Sequence, residues 1–150
     1  AVAAMLGVSL LGTTLFANQV DLKKALEYDA TLSVMTRVLA RAEAVPGYKP
    51  GETPTAIIGT LDQSDLSVTH DGFEALTVLD AAKNNFAPTD DAGNLWYMWE
   101  AMGYPFNFVS TYELEQYKAR EDVQALPAFP AAGCCQLIDG VLVVKLSDAQ

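Results

Sequence analysis

Four carboxylates, Asp62, Asp65, Asp71 and Glu74, follow closely on a short apolar run over residues 55–61. An apolar run of that length, bounded by turn residues, reads as a buried strand. In open α/β sheets, ligands bind just beyond the carboxyl ends of strands. Carboxylates placed there suit a divalent cation or the hydroxyls of a sugar. The spacing of an EF-hand loop is absent, so calcium is not specifically indicated, and the bland alternative is a solvated acidic loop. A second cluster, Trp96, Tyr97, Trp99, Tyr104, Phe106 and Phe108, is aromatic. Aromatic faces stack on the apolar faces of sugar rings. Trp96, Trp99 and Tyr104, with Asp62 and Asp65, are therefore the candidate ligand-binding residues. The competing reading is that these rings fill a core.

Other chemistries find little support. There is no glycine-rich phosphate loop and no His-Glu metalloprotease pattern. His70 stands alone and makes no metal site. Ser64, Ser67, His70, Asp65 and Asp71 lack the nucleophile elbow that would make a triad of them. Cys134 and Cys135 are neighbours. On a strand they would point to opposite faces, and a disulfide between neighbours is strained. Two free thiols are expected, one buried and one nearer the surface. No cofactor, metal or catalytic residue is assigned.

These side chains need elements to hold them. Residues 18–44 contain neither Pro nor Gly. Leu22, Ala25, Tyr28, Leu32, Met35, Leu39 and Ala42 recur at three- and four-residue steps, which predicts one apolar face of a long helix stopped by Pro46 and Gly47. Arg37 and Arg41 then belong to a solvated or salt-bridged side. After the strand at 55–61 come a short edge strand or loop at 67–71, a helix over 73–86, a helix over 95–102 capped by Asn94, and a strand at 105–109. A helix over 112–120 comes next, capped by Ser110 or Thr111, with Glu113 and Glu115 early and Lys118 and Arg120 late, as the helix dipole favours. Residues 123–132 read as extended and proline-rich. Asp139-Gly140 between two β-rich runs is a two-residue hairpin signal. The pattern predicts an α/β fold: a small layered domain with a mixed β-sheet, a long N-terminal helix and a C-terminal β-hairpin.

The chain has 150 residues, enough for one such domain, and half of them (51%) are apolar. With 19 acidic against 9 basic residues the net charge is −10, which opposes binding to nucleic acid. No residue from 1 to 20 is charged. The stretch lacks the basic start of a signal peptide. Its apolar part, residues 1–17, falls a little short of the roughly 20 residues that span a bilayer, and a core helix of a soluble protein is another reading. Its small residues, Gly7, Ser9, Gly12, Thr13 and Thr14, suit packing against other membrane helices. The favoured reading is that residues 1–17 end a transmembrane helix and 18–150 form a soluble α/β domain. Lys23, Lys24, Arg37 and Arg41 mildly favour a cytoplasmic side for that domain.

Several segments together carry a family resemblance. They are Leu-Glu-Tyr-Asp-Ala-Thr-Leu-Ser at 26–33, Met-Thr-Arg-Val at 35–38 and Gly-Tyr-Lys-Pro-Gly-Glu-Thr-Pro at 47–54. Phe129-Pro130, Gly133 and Ile-Asp-Gly-Val-Leu-Val-Val-Lys-Leu at 138–146 complete the set. Over residues 18–148 the chain resembles the C-terminal region of GtrII-type bacterial membrane glucosyltransferases, which are polytopic. The resemblance implies a parent enzyme that moves a hexose from a polyprenyl-phosphate donor to a surface glycan. It implies bacterial membrane anchoring with the soluble part outside the cytoplasm, against the mild charge hint. It carries over no catalytic residue, because the acidic residues expected to act lie in earlier loops. The expected role is an accessory domain whose partners are the membrane portion of the same protein and a glycan or polyprenyl-linked sugar. The alternative is a non-catalytic interaction domain docking on a membrane or protein partner.

Overall fold

The computed structural model describes residues 2–61, 76 and 102–148. Helix α1, Val2–Glu43, is 42 residues long. Nothing from residue 13 to 45 interrupts it, since the first Pro is Pro46, and Gly47 turns the chain with φ +87°. The helix expected over 18–44 is thus continuous with the uncharged stretch before it. Residues 2–19 are exposed throughout. Within α1 an 18-residue window has mean hydropathy 1.3 and no buried residue; by length and composition the helix can cross a membrane.

The second half of α1 packs into the domain, on a face partly different from the expected one. Met35, Leu39 and Ala42 are buried as expected. Leu22 and Leu32 are 42% and 37% exposed, and Lys23, Glu27 and Thr31 are buried instead. The inward face runs 23, 27, 31, 34, 35, 38, 42, which is the same helical spacing turned by about one residue at its start. The polar residues there have partners within the helix. Lys23 Nζ pairs with Glu27 Oε1 at 3.5 Å, and the Thr31 hydroxyl donates to the Glu27 carbonyl at 2.8 Å.

Four strands form one sheet: β1, Pro54–Ile58; β2, Asn107–Phe108; β3, Cys135–Ile138; and β4, Val141–Lys145. The order is β2-β1-β4-β3. β1 runs parallel to β2 and β4, and β3 is antiparallel to β4. The sheet is therefore mixed, as expected. The β3–β4 turn places Asp139 (φ +51°) and Gly140 (φ +81°) both in the left-handed region, as a two-residue type I′ turn requires.

Alternate residues of β1 and β4 serve two cores, which is why both strands read as unbroken apolar runs. Ile57, Leu142 and Val144 join Val34, Met35 and Val38 of α1 on one face. Ala56, Ile58 and Val143 join Leu114, Val123 and Leu126 on the other. The second face is covered by α2, Thr111–Lys118, and α3, Glu121–Gln124. α3 corrects the extended reading of residues 123–132 only at 123 and 124: Val123 is a helical anchor in the core, and the chain leaves the helix at Ala125. Of the elements expected between residues 62 and 101, only Leu76 is described, helical and buried.

Candidate functional site

Asp62, Asp65, Trp96 and Trp99 lie outside the described residues, as do His70, Asp71 and Glu74. β1 delivers the chain toward that acidic segment through Gly59, Thr60 and Leu61. Gly59 has φ +81°, and a Cβ there would meet the Ser147 backbone at 2.5 and 2.6 Å. The close approach lets the Thr60 N–H donate to Ser147 Oγ at 3.0 Å and the Leu146 N–H to the Ile58 carbonyl at 2.7 Å. The carboxyl ends of β1 and β4 are thereby locked together.

Tyr104 is described, at the opposite end of the sheet. It lines a cleft of about 500 Å³ with Gly51, Gly103, Pro105, Phe106 and Asn107. Its ring lies against Phe106 (centroids 4.6 Å apart, 54° between planes), and Phe106 lies against Phe108 at 5.3 Å. The Tyr104 hydroxyl donates to Glu43 Oε1 at 2.9 Å, tying the cleft to the end of α1. Burial, and then that hydrogen bond, hold the phenol well above its ordinary range. It is therefore a protonated donor at neutral pH, unsuited to act as a general base. Tyr48 is buried beside it, and burial pushes its phenol up too. Asn107 is fixed by donation from Nδ2 to the Glu52 carbonyl at 3.1 Å. The cleft thus has an aromatic wall, and the polar ends of Tyr104 and Asn107 are fixed by bonds within the protein.

Two arrangements were not foreseen. Lys145, at the end of β4, is 3% exposed, and its Nζ donates to the carbonyls of Gln124 and Leu126 at 2.7 and 2.9 Å and pairs with Asp148 at 2.8 Å. One cation inside the apolar run 141–146 was the available signal. Arg41, expected on a solvated side, is half-buried instead. Its guanidinium lies 4.8 Å from the Phe129 ring centroid, with that of Arg37 at 5.5 Å. Arg41 Nη1 also donates to the Ala131 carbonyl at 3.3 Å and lies 3.7 Å from Cys134 Sγ.

The thiols also depart from expectation. Both are free, and both are buried: Cys134 is 1% and Cys135 9% exposed. Their sulfurs lie 3.8 Å apart. Strand alternation does not separate them because β3 begins only at Cys135, after a turn in which Gly133 has φ +90°. Among the described residues no group of three His, Cys, Asp or Glu stands close enough to hold a metal ion.

Comparison with known proteins finds no family model, no curated protein and no solved structure that matches the chain.

Proposed function

We propose that the chain is a membrane-attached accessory domain of a bacterial glucosyltransferase of the GtrII type, which transfers a hexose from a polyprenyl-phosphate donor to a surface glycan. The reading rests on the family resemblance. The observation that carries it is the unbroken course of α1, from an exposed apolar half into the core of an α/β domain. At ~1.5 Å per residue, residues 2–20 extend about 28 Å, close to the ~30 Å of a hydrocarbon core. In that half Thr13 and Thr14 donate their hydroxyls to the Ser9 and Leu10 carbonyls, both at 2.9 Å. Internal satisfaction of that kind is what a helix in lipid needs.

In this role the domain contributes no catalytic group, and Tyr104 with its cleft is a contact for the glycan. The test is hexose transfer from labelled polyprenyl-phosphate hexose to glycan, in membrane vesicles from cells making the natural protein or a form lacking residues 44–150. Reduced but measurable transfer by the shortened form is expected. Equal transfer by both forms overturns the accessory role, and absence of transfer from both overturns the glucosyltransferase reading. For the glycan contact, NMR titration of the chain in detergent with oligosaccharides should shift signals of Tyr104 and Asn107; no shift at millimolar glycan excludes it.

A further inference from the structure

Cys134 and Cys135 take no part in that reading, yet their surroundings are specific. They lie in the wall of a cleft of about 550 Å³, with Arg41, Val45, Gly133 and Leu137. We propose that the pair is a thiol–disulfide exchange site that accepts low-molecular-weight disulfides from this cleft and closes to a disulfide between neighbours. Three observations support it. The sulfurs are 3.8 Å apart with no other residue between them in sequence. A guanidinium held in place by Phe129 and the Ala131 carbonyl sits 3.7 Å from Cys134 Sγ, where it stabilises the negative charge of an attacking sulfur. Burial, then the adjacent Cys134 sulfur, pushes Cys135 up to about 12, so Cys135 holds its proton at neutral pH.

The exchange runs in two balanced steps. The Cys134 thiolate attacks one sulfur of a disulfide RSSR; that S–S bond breaks, RS⁻ leaves with the electron pair, and a Cys134–SR mixed disulfide forms. Cys135 then gives up its proton and attacks Cys134 Sγ, expelling the second RS⁻. The cysteines lose two electrons in all, RSSR gains them, and the two thiol protons end on two RSH. The sulfurs must close from 3.8 Å to about 2.05 Å. The inference does not depend on the glucosyltransferase reading.

The test is intact mass spectrometry of the full chain in detergent, treated with oxidised glutathione or cystamine and quenched in acid. The folded wild type is expected to lose the mass of two hydrogen atoms and retain no adduct. Cys135→Ser should trap one adduct on Cys134, and Cys134→Ser should react at least tenfold more slowly. The chain unfolded in urea is the control in which both thiols are reactive. A stable adduct on the wild type, a disulfide-linked dimer, no reaction of the folded chain, or faster reaction of Cys134→Ser than of Cys135→Ser each overturns the proposal.

Discussion

Lys145 carries a charge into an apolar core and yet leaves none of its donors idle. Its ammonium holds the carbonyls of Gln124 and Leu126 where α3 ends, a helix too short to cap itself. Lys145→Met keeps the stem's volume and removes the donors, leaving buried carbonyls without partners. The expected loss is about 2–4 kcal/mol, read as a lower midpoint in urea, with the signals of Leu126 and Val123 shifting most. Gly59 is fixed by a different constraint, since its left-handed φ and the nearness of the Ser147 backbone both exclude a side chain. Gly59→Ala is expected to cost more than about 2 kcal/mol. Gly103→Ala is the informative comparison: φ is +60° there too, but open space surrounds the position. A loss at position 103 as large as at 59 would show that conformation alone, and not the approach of Ser147, decides.

The elements were legible where short-range signals agree with packing. Ser110 or Thr111 is the expected cap of a helix with Glu113 in its first turn; Ser110 is the cap, in a capping box: the Glu113 N–H donates to Ser110 Oγ at 3.3 Å and the Ser110 N–H to Glu113 Oε2 at 2.9 Å. Asp139-Gly140 predicts the hairpin, and the apolar run at 55–61 predicts β1. The inward face of α1 was legible only at its C-terminal half. Apolar spacing cannot foresee that Lys23 and Glu27 are buried as an i,i+4 ion pair, because it counts charged residues as outward-facing. Arg41 was misread for a different reason: its partners Phe129, Ala131 and Cys134 are some ninety residues away. Of the candidate site, Tyr104 was legible as an aromatic, while its hydroxyl's tie to Glu43 was not.

Charge placement in these short elements makes a pH prediction with a definite sign. The Ser110 hydroxyl and N–H hold Glu113 below the usual carboxylate range, and the Arg120 guanidinium does the same for Asp122. A carboxylate lowered in the folded state stabilises it above the unfolded pKa of about 4, and that contribution is lost as pH falls through the folded value. Melting temperature is therefore expected to fall as pH drops below about 4. Ser110→Ala should lower it at neutral pH and flatten this acid limb, measured by circular dichroism melts from pH 7 to 2.5. An acid limb as steep in Ser110→Ala as in wild type would remove Glu113 from the account.

At the scale of the whole molecule, α1 joins two environments without a hinge. Its exposed half carries Leu6, Leu10, Leu11, Leu15 and Phe16, and the first buried residue is Lys23. If the first half lies in lipid, a charge at its centre must raise the cost of insertion while leaving the domain untouched. Leu11→Lys is the sharpest case, because Leu11 is 62% exposed and touches neither core. A lysine at the centre of a spanning helix costs about 2.5–3.5 kcal/mol on insertion scales. The wild-type chain is expected to resist alkaline carbonate extraction from bacterial membranes, and Leu11→Lys to shift substantially into the soluble fraction. The domain's urea midpoint should stay put, a change within about 0.5 kcal/mol. Unchanged membrane retention of Leu11→Lys would separate α1 from the bilayer. A fall in domain stability would mean instead that the apolar half packs on the domain it precedes. Because the two results differ in which measurement moves, one substitution distinguishes a helix that anchors the domain from one that completes it.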